Sequence, residues 1–221
     1  MLLLQSTRVG LRHASCASSF SRISHVEPLR LRLHTFVRAA EADAQAADAP
    51  ADAADVSKLD VRVGTILSAA DHPEADTLYV EQIDLGEEEG PRTIVSGLKK
   101  YVSVDDLTGK KVLVLANLKA RNMRGIKSHG MLLCASNADH TEVEPLAAPA
   151  DAPNGERVYF GDDQEQGEPA NGNQLQKKKF WEACQPLLKT DAEGVANFDG
   201  ATMNTSAGPV KAHKLTNATI S

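Results

Sequence analysis

Between Leu59 and Ser136 the sequence breaks into five short apolar runs separated by turn signals, and this rhythm restricts the chain to a small, mainly β fold. The first run, LDVRVGTIL (Leu59–Leu67), alternates Val61, Val63 and, after Gly64, Ile66. Alternation that slips at a glycine predicts a bulge or sharp bend, which small closed sheets need at their corners. A turn at Asp71–Asp76 leads to a second strand over Thr77–Leu85, and the acidic loop Glu87–Pro91 to a third over Arg92–Gly97. Tyr101–Leu107 reads as a short helical turn or an extended connection. A turn at Asp106–Gly109 opens a fourth strand, Lys111–Leu118, and Gly130–Ser136 forms a fifth. Five short strands with one connection between the third and fourth predict a small closed barrel.

Between the fourth and fifth runs lies the stretch NLKARNMRGIKSHG, with Lys119, Arg121, Arg124 and Lys127 and no carboxylate. A cationic loop carried between two buried strands presents charge to a polyanion. Asn117, Ser128 and His129 add neutral hydrogen-bonding groups, and Gly125 and Gly130 punctuate it. The formal net charge of −6 argues against nucleic acid only if the charge is spread evenly, and it is not. Arg92–Lys127 holds nine basic residues, Lys99 and Lys100 among them, against two acidic ones, while Asp71–Glu89 holds eight acids and no Lys or Arg. The sequence therefore predicts one basic face on an acidic body.

The flanks differ in texture. Met1–Arg38 carries six arginines, many serines and a single acid, the composition of an organellar transit peptide. Val37–Ala40 (VRAA) resembles a plastid processing site, which favours chloroplast over mitochondrion, with a cytoplasmic location as the alternative. Residues 39–57 are Ala-rich, acidic and almost free of large apolar side chains, so they are expected to be a disordered linker. Residues 58–140 would then be the barrel and 141–221 a second, smaller β-rich domain packed on it. In that part Glu142–Leu146, Arg157–Phe160, Val195–Phe198, Thr202 and Pro209–Leu215 read as short strands. Gln174–Leu188 is the best helix candidate, ending early at Pro186. No apolar run approaches the ~20 residues of a membrane span. Three cysteines with no CxxC spacing predict neither a metal site nor a disulfide framework, and Cys134 reads as a small buried hydrophobe.

Several motifs in order carry a family resemblance: DVRVGTI (Asp60–Ile66), HPEADTLYVEQIDLG (His72–Gly86), SGLKKY (Ser96–Tyr101), ANLKARNMRGIKSHGMLLCAS (Ala116–Ser136) and KKKFWE (Lys177–Glu182). From about Leu59 onward the chain resembles the C-terminal tRNA-binding domain of the endothelial monocyte-activating polypeptide II family. The resemblance implies an oligonucleotide/oligosaccharide-binding (OB) barrel followed by a shorter domain that imitates a dimer partner, and so a monomer of pseudo-dimeric build. It also implies non-catalytic tRNA binding in support of an aminoacyl-tRNA synthetase, with no cofactor. Carried over by position, the implied contact set is Asn117, Lys119, Arg121, Met123, Arg124, Lys127 and Ser128, beside Lys99 and Lys100. Where family members often have Pro-Ala-Lys or Pro-Arg-Lys before Met-Arg-Gly, this chain has Ala120-Arg121-Asn122, which shifts the charge at that point.

The chemistry of the residues agrees. Lys and Arg on phosphates supply most RNA affinity, and Arg121 and Arg124 can form bidentate contacts that Lys cannot. The barrel region holds only Tyr79 and Tyr101 as aromatics, too few stacking platforms for a single-strand binder, which favours folded RNA recognised by shape and backbone. For an enzyme the candidates would be His72, His129 or Cys134, and no phosphate loop, dinucleotide fingerprint or nucleophile elbow accompanies them. The competing reading is a protein-interaction scaffold for a synthetase complex, with little tRNA affinity of its own.

Overall fold

The computed structural model describes residues 54–162, 164 and 166–221. The transit-peptide reading and most of the linker reading fall outside these residues. Residues 54–57 belong to the folded part: Asp55 caps a 3₁₀ turn at Val56–Lys58 by accepting the Ser57 N–H, and Ala54 and Val56 pack on the core.

In the barrel half the strands are β1 (Val61–Asp71), β2 (Tyr79–Asp84), β3 (Arg92–Ser96) and β4 (Lys111–Leu115). The short pair β5 (Arg121–Met123) and β6 (Ile126–Ser128) follows, then β7 (Met131–Leu132) and β8 (Cys134–Ser136). A five-stranded antiparallel sheet runs β3-β2-β1-β4-β7. The central strand β1 pairs with β4 through Val61–Thr65 and with β2 through Thr65–Asp71, an offset that tilts the strands and curls the sheet toward closure. Closure brings the two edges β3 and β7 together.

The expected irregularity in β1 falls at Leu67, three residues past Gly64. The β1–β2 register shifts between Ile66 and Ser68, leaving Leu67 half exposed. Gly64 has a different task. A Cβ there would lie 2.6 Å from Leu85 Cδ2 and 2.7 Å from Ile83 Cγ2, so the glycine lets the side chains of Ile83 and Leu85 close over the bend. Leu98–Lys100 forms a 3₁₀ turn and Val104–Leu107 a single helical turn, α1, capped by the Ser103 hydroxyl.

The remaining strands are β9 (Val143–Pro145), β10 (Tyr159–Phe160), β11 (Leu188–Thr190), β12 (Ala196–Phe198), β13 (Ala201–Thr205), β14 (Gly208–Pro209) and β15 (Thr219–Ile220). They build a second sheet in the order β10-β13-β12-β11-β15-β8-β9, with β14 beside β13. The sequence predicts a single fifth strand over Gly130–Ser136. That run instead divides at Leu133, with β7 completing the barrel sheet and β8 entering the second sheet. The strand expected over Pro209–Leu215 is reduced to β14 and single bridges at Lys211.

The predicted helix Gln174–Leu188 is two helices, α2 (Gly172–Lys178) and α3 (Phe180–Cys184), followed by a 3₁₀ turn at Gln185–Leu187. Lys179 lies between them with φ 53°, a left-handed residue that redirects the chain so that Phe180 and Trp181 reach the core and Cys184 is buried. Asn171 and Gln174 form a capping box at the start of α2.

Two apolar clusters hold these parts together. One fills the barrel with Ile66, Ile83, Ile94, Leu107, Val112, Val114 and their neighbours. The other joins the outer face of β1 and β4, through Val61, Val63, Leu113 and Leu115, to Leu175, Leu188, Met203 and Ile220 of the C-terminal half. Alternating residues of the same strands feed the two clusters, as a period of two requires. The C-terminal half is thereby packed directly on the barrel wall.

Candidate nucleic-acid interface

The cationic loop is an ordered ribbon. β5 and β6 pair in the register Arg121↔Ser128, Asn122↔Lys127 and Met123↔Ile126, closed by the two-residue turn Arg124-Gly125. Both turn residues have positive φ, 50° and 91°, as the tightest hairpin turns demand. The Asn122 side chain locks the turn by accepting the Gly125 N–H at 2.8 Å. Arginine in this left-handed geometry is strained relative to Gly or Asn, by about 1 kcal/mol.

The pairing decides where the charges point. Arg121 shares a ribbon face with Met123, Ile126 and Ser128, whereas Lys127 shares the opposite face with Asn122. Arg124 occupies the tip. Lys119, Arg121, Arg124 and Lys127 are all exposed, and none has a carboxylate within 4 Å among the described residues. The ribbon thus carries cations on both faces and at its end.

Its base is clamped from several sides. Arg92 Nη1 donates to the carbonyls of Ala116 at 2.7 Å and His129 at 2.9 Å, tying together the two chain segments that enter and leave the loop. Glu87 orients that guanidinium through two 2.6 Å contacts, and the pairing holds the Glu87 carboxyl below its usual range. His129 N–H donates to Thr93 O, and Val95 N–H donates to Ser128 Oγ, so the ribbon lies along β3. Buried His72 reaches over from the β1–β2 turn. Its Nδ1 accepts the Glu74 N–H, leaving Nε2 to donate to the Met123 carbonyl at 3.1 Å. That pattern requires the neutral Nε2–H tautomer.

The sequence-derived contact residues therefore divide into groups. Lys119, Arg121, Arg124 and Lys127 project into solvent, with Met123 half buried between them. The Asn117 amide is engaged internally: Oδ1 accepts the Asp60 N–H, and Nδ2 donates to Lys58 O and Ala170 O. Ser128 is buried, accepting from Val95 and donating to Gly130 O. Lys99 pairs with Asp71 at 2.9 Å, and exposed Lys100 lines a cleft with Lys110 and Tyr101. By sequence alone Arg92 counts as one more positive charge. Its five-residue separation from Glu87 across an acidic hairpin loop was the available signal of an internal ion pair. Lys177–Lys179 are exposed at the far end of α2, whose first residue Gly172 packs against the backbone of Asn117 and Lys119.

Catalytic features are sparse among the described residues. They contain no cluster of three or more His, Cys, Asp or Glu able to hold a metal ion. Cys134 and Cys184 are buried thiols, and burial raises both, Cys184 to about 12, so neither is poised as a nucleophile. No helix among the described residues is long and apolar enough to cross a membrane.

A family model described as "Putative tRNA binding domain" matches residues 61–157. The chain is 47% identical over 165 residues to a probable methionine–tRNA ligase of Oryza sativa subsp. japonica, covering 75% of this chain and 20% of that protein. It is 42% identical over 167 residues to aminoacyl tRNA synthase complex-interacting multifunctional protein 1 of Mus musculus, covering 75% of this chain and 52% of the relative. The chain therefore spans about a fifth to a half of these relatives' lengths. The crystal structure of the C-terminal domain of Plasmodium vivax p43 superposes with a TM-score of 0.70 at 37% identity, covering 76% of this chain and 99% of that one. With the barrel, the appended second sheet and the ordered motifs in agreement, the chain belongs to the endothelial monocyte-activating polypeptide II family of C-terminal tRNA-binding domains.

Proposed function

We propose that this protein binds folded tRNA without catalysing a reaction on it, and does so through the β5–β6 ribbon in support of an aminoacyl-tRNA synthetase. The observation that carries this reading is the paired β5–β6 ribbon with Lys119, Arg121, Arg124 and Lys127 on both faces and at its tip. Cations on opposite faces suit a ribbon lying between two phosphodiester strands, which a folded RNA supplies and a single strand does not. In this reading Asn117, Ser128, His72 and Arg92 position the ribbon, Lys119, Arg121, Arg124 and Lys127 contact phosphate, and Lys99 contributes through its field. The Arg-rich composition of residues 1–38 supports an organellar site of action, chloroplast in preference to mitochondrion.

The test is a salt titration of tRNA binding with Arg121→Ala plus Arg124→Ala beside the parent. The expected result is uniform weakening across tRNA species and a log K versus log salt slope shallower by about two. A loss confined to one tRNA would exclude backbone recognition. An unchanged slope would move the interface elsewhere and favour the scaffold reading. Fusing residues 1–38 to a fluorescent reporter tests the location, with plastid import expected and a cytoplasmic signal contradicting it.

A further inference from the structure

A second concave site lies apart from the ribbon. A cleft of about 640 Å³ opens between the helical connection of the barrel and the C-terminal half, lined by Lys100, Tyr101, Lys110, Glu142, Glu144 and Lys214 among others. Its volume falls within the roughly 300–1,000 Å³ typical of small-ligand sites.

The three lysines Lys100, Lys110 and Lys214 are exposed and make no ion pair among the described residues. The neighbouring acids are largely engaged. Glu144 Oε1 accepts the main-chain N–H groups of Lys214 and Leu215, both at 2.7 Å, and Asp106 accepts the Ser103 hydroxyl at 2.8 Å. Glu142 remains as an exposed carboxylate at the rim. Among the described residues Tyr101 is, with Leu67, one of two large apolar side chains that are exposed, and its hydroxyl donates to His140 O at 3.0 Å, which fixes the ring in place. Lys111 serves the fold instead, donating to Ala152 O and Asn154 Oδ1.

A fixed aromatic ring, free ammonium groups and one open carboxylate match three parts of one ligand. The ring stacks a base, the ammonium groups bind phosphate, and the carboxylate accepts from an exocyclic amine. We propose that this cleft binds a nucleotide whose base carries an exocyclic amine, with the base on Tyr101, the amine toward Glu142 and the phosphates on Lys100, Lys110 and Lys214. The same chemistry is offered by a free nucleotide and by an unpaired nucleotide of an RNA strand. The proposal does not rest on the ribbon.

The full chain is titrated calorimetrically at low salt with ATP, CTP, UTP and pyrophosphate, and with a short single-stranded oligonucleotide of cytidine and adenosine. Saturable one-to-one binding of ATP and CTP is expected, with UTP weaker by about fivefold or more for want of the amine. Lys100→Ala plus Lys214→Ala should weaken ATP by at least about tenfold, and Tyr101→Leu by about fivefold, with melting temperatures checked for intact folding. Arg121→Ala plus Arg124→Ala should leave ATP binding unchanged, so this site and the ribbon fail or stand separately. An oligonucleotide that outbinds ATP, and is weakened by the Lys100/Lys214 variant but not by the Arg121/Arg124 variant, assigns the ligand to an RNA strand, and the reverse order of affinities assigns it to the free nucleotide. The proposal is overturned by no saturable binding of either, by pyrophosphate and UTP matching ATP, or by an undiminished affinity in the Lys100/Lys214 variant.

Discussion

Glu87 and Arg92 face each other across the β2–β3 loop with both carboxylate oxygens 2.6 Å from guanidinium nitrogens, and the third arm of that guanidinium closes the neck of the cationic ribbon. An acid outside the interface thus helps to determine its geometry. Because hydrogen bonding to Arg92 depresses the folded Glu87 pKa, its contribution is fully present above the ordinary carboxylate range. It is lost as pH falls through the lower folded value. Glu87→Gln should cost about 1–2 kcal/mol at neutral pH, and the cost should shrink as pH falls below the ordinary carboxylate range, read by urea unfolding across that window. A cost that stays constant with pH would show that the pair contributes through packing alone.

Arg124 stands where Gly or Asn would be comfortable, at φ 50° on the ribbon tip. Arg124→Asn should raise stability by up to about 1 kcal/mol while weakening tRNA binding and lowering the salt slope by about one. Stability and binding would then move in opposite directions at one residue. If both fall together, the arginine is stabilising its own turn.

His72 makes a narrower test of ribbon positioning. His72→Phe keeps the buried ring but removes the bonds to Glu74 N–H and Met123 O, about 1–3 kcal/mol together. Amide exchange should accelerate over residues 121–128 and leave β1 and β4 protected, with weaker tRNA binding. Exchange that rises evenly over the barrel would mean that His72 serves global stability and not the ribbon.

The sequence made the barrel legible and the ribbon illegible for the same physical reason. β1 to β4 advertise themselves because every second residue is apolar and enters a core, as Val61, Val63, Leu113 and Leu115 do. β5 and β6 have almost no such residues, because Arg121 and Lys127 stand in solvent, so no apolar alternation marks them as strands. The division of the fifth run at Leu133 was likewise hidden. Leu132 and Leu133 are equally apolar, but one fills the barrel and the other the second cluster. The split helix turned on Lys179, a residue with no sequence mark of left-handed geometry. Charge tells where cations are plentiful but not which are already engaged: only the spacing of Glu87 and Arg92 hints at their pairing, and nothing in the sequence marks Lys99 with Asp71.

Asn117 illustrates a residue whose motif position suggests contact while its bonds suggest architecture. Three hydrogen bonds join it to Asp60, Lys58 and Ala170, linking the barrel to the segment before α2. Asn117→Ala should lower unfolding free energy by about 2–4 kcal/mol, because it strands backbone groups in a part-buried place. The salt slope of tRNA binding, measured at a temperature where the variant remains folded, should not change. A shallower slope with normal stability would instead make Asn117 a direct contact.

Glu81 gives the fold a pH dependence of its own. Its side chain is fully buried in the barrel interior, on the same β2 face as Tyr79 and Ile83. Ser96 Oγ donates to one carboxylate oxygen at 2.6 Å, while the other oxygen has no partner. Desolvation outweighs the serine bond and lifts the carboxyl to about 7. The folded state therefore binds a proton that the unfolded chain releases near the ordinary carboxylate value. Stability should fall as pH rises from that value toward 7, by roughly 3 kcal/mol in all, and level off above it. Glu81→Gln mimics the protonated acid, so it should remove this decline and exceed the parent in stability at pH 8 while matching it below about pH 4. Urea midpoints at the two pH values decide the matter. If the variant is less stable than the parent at both, the ionised carboxylate is better solvated than its burial implies and the barrel interior admits water at Glu81.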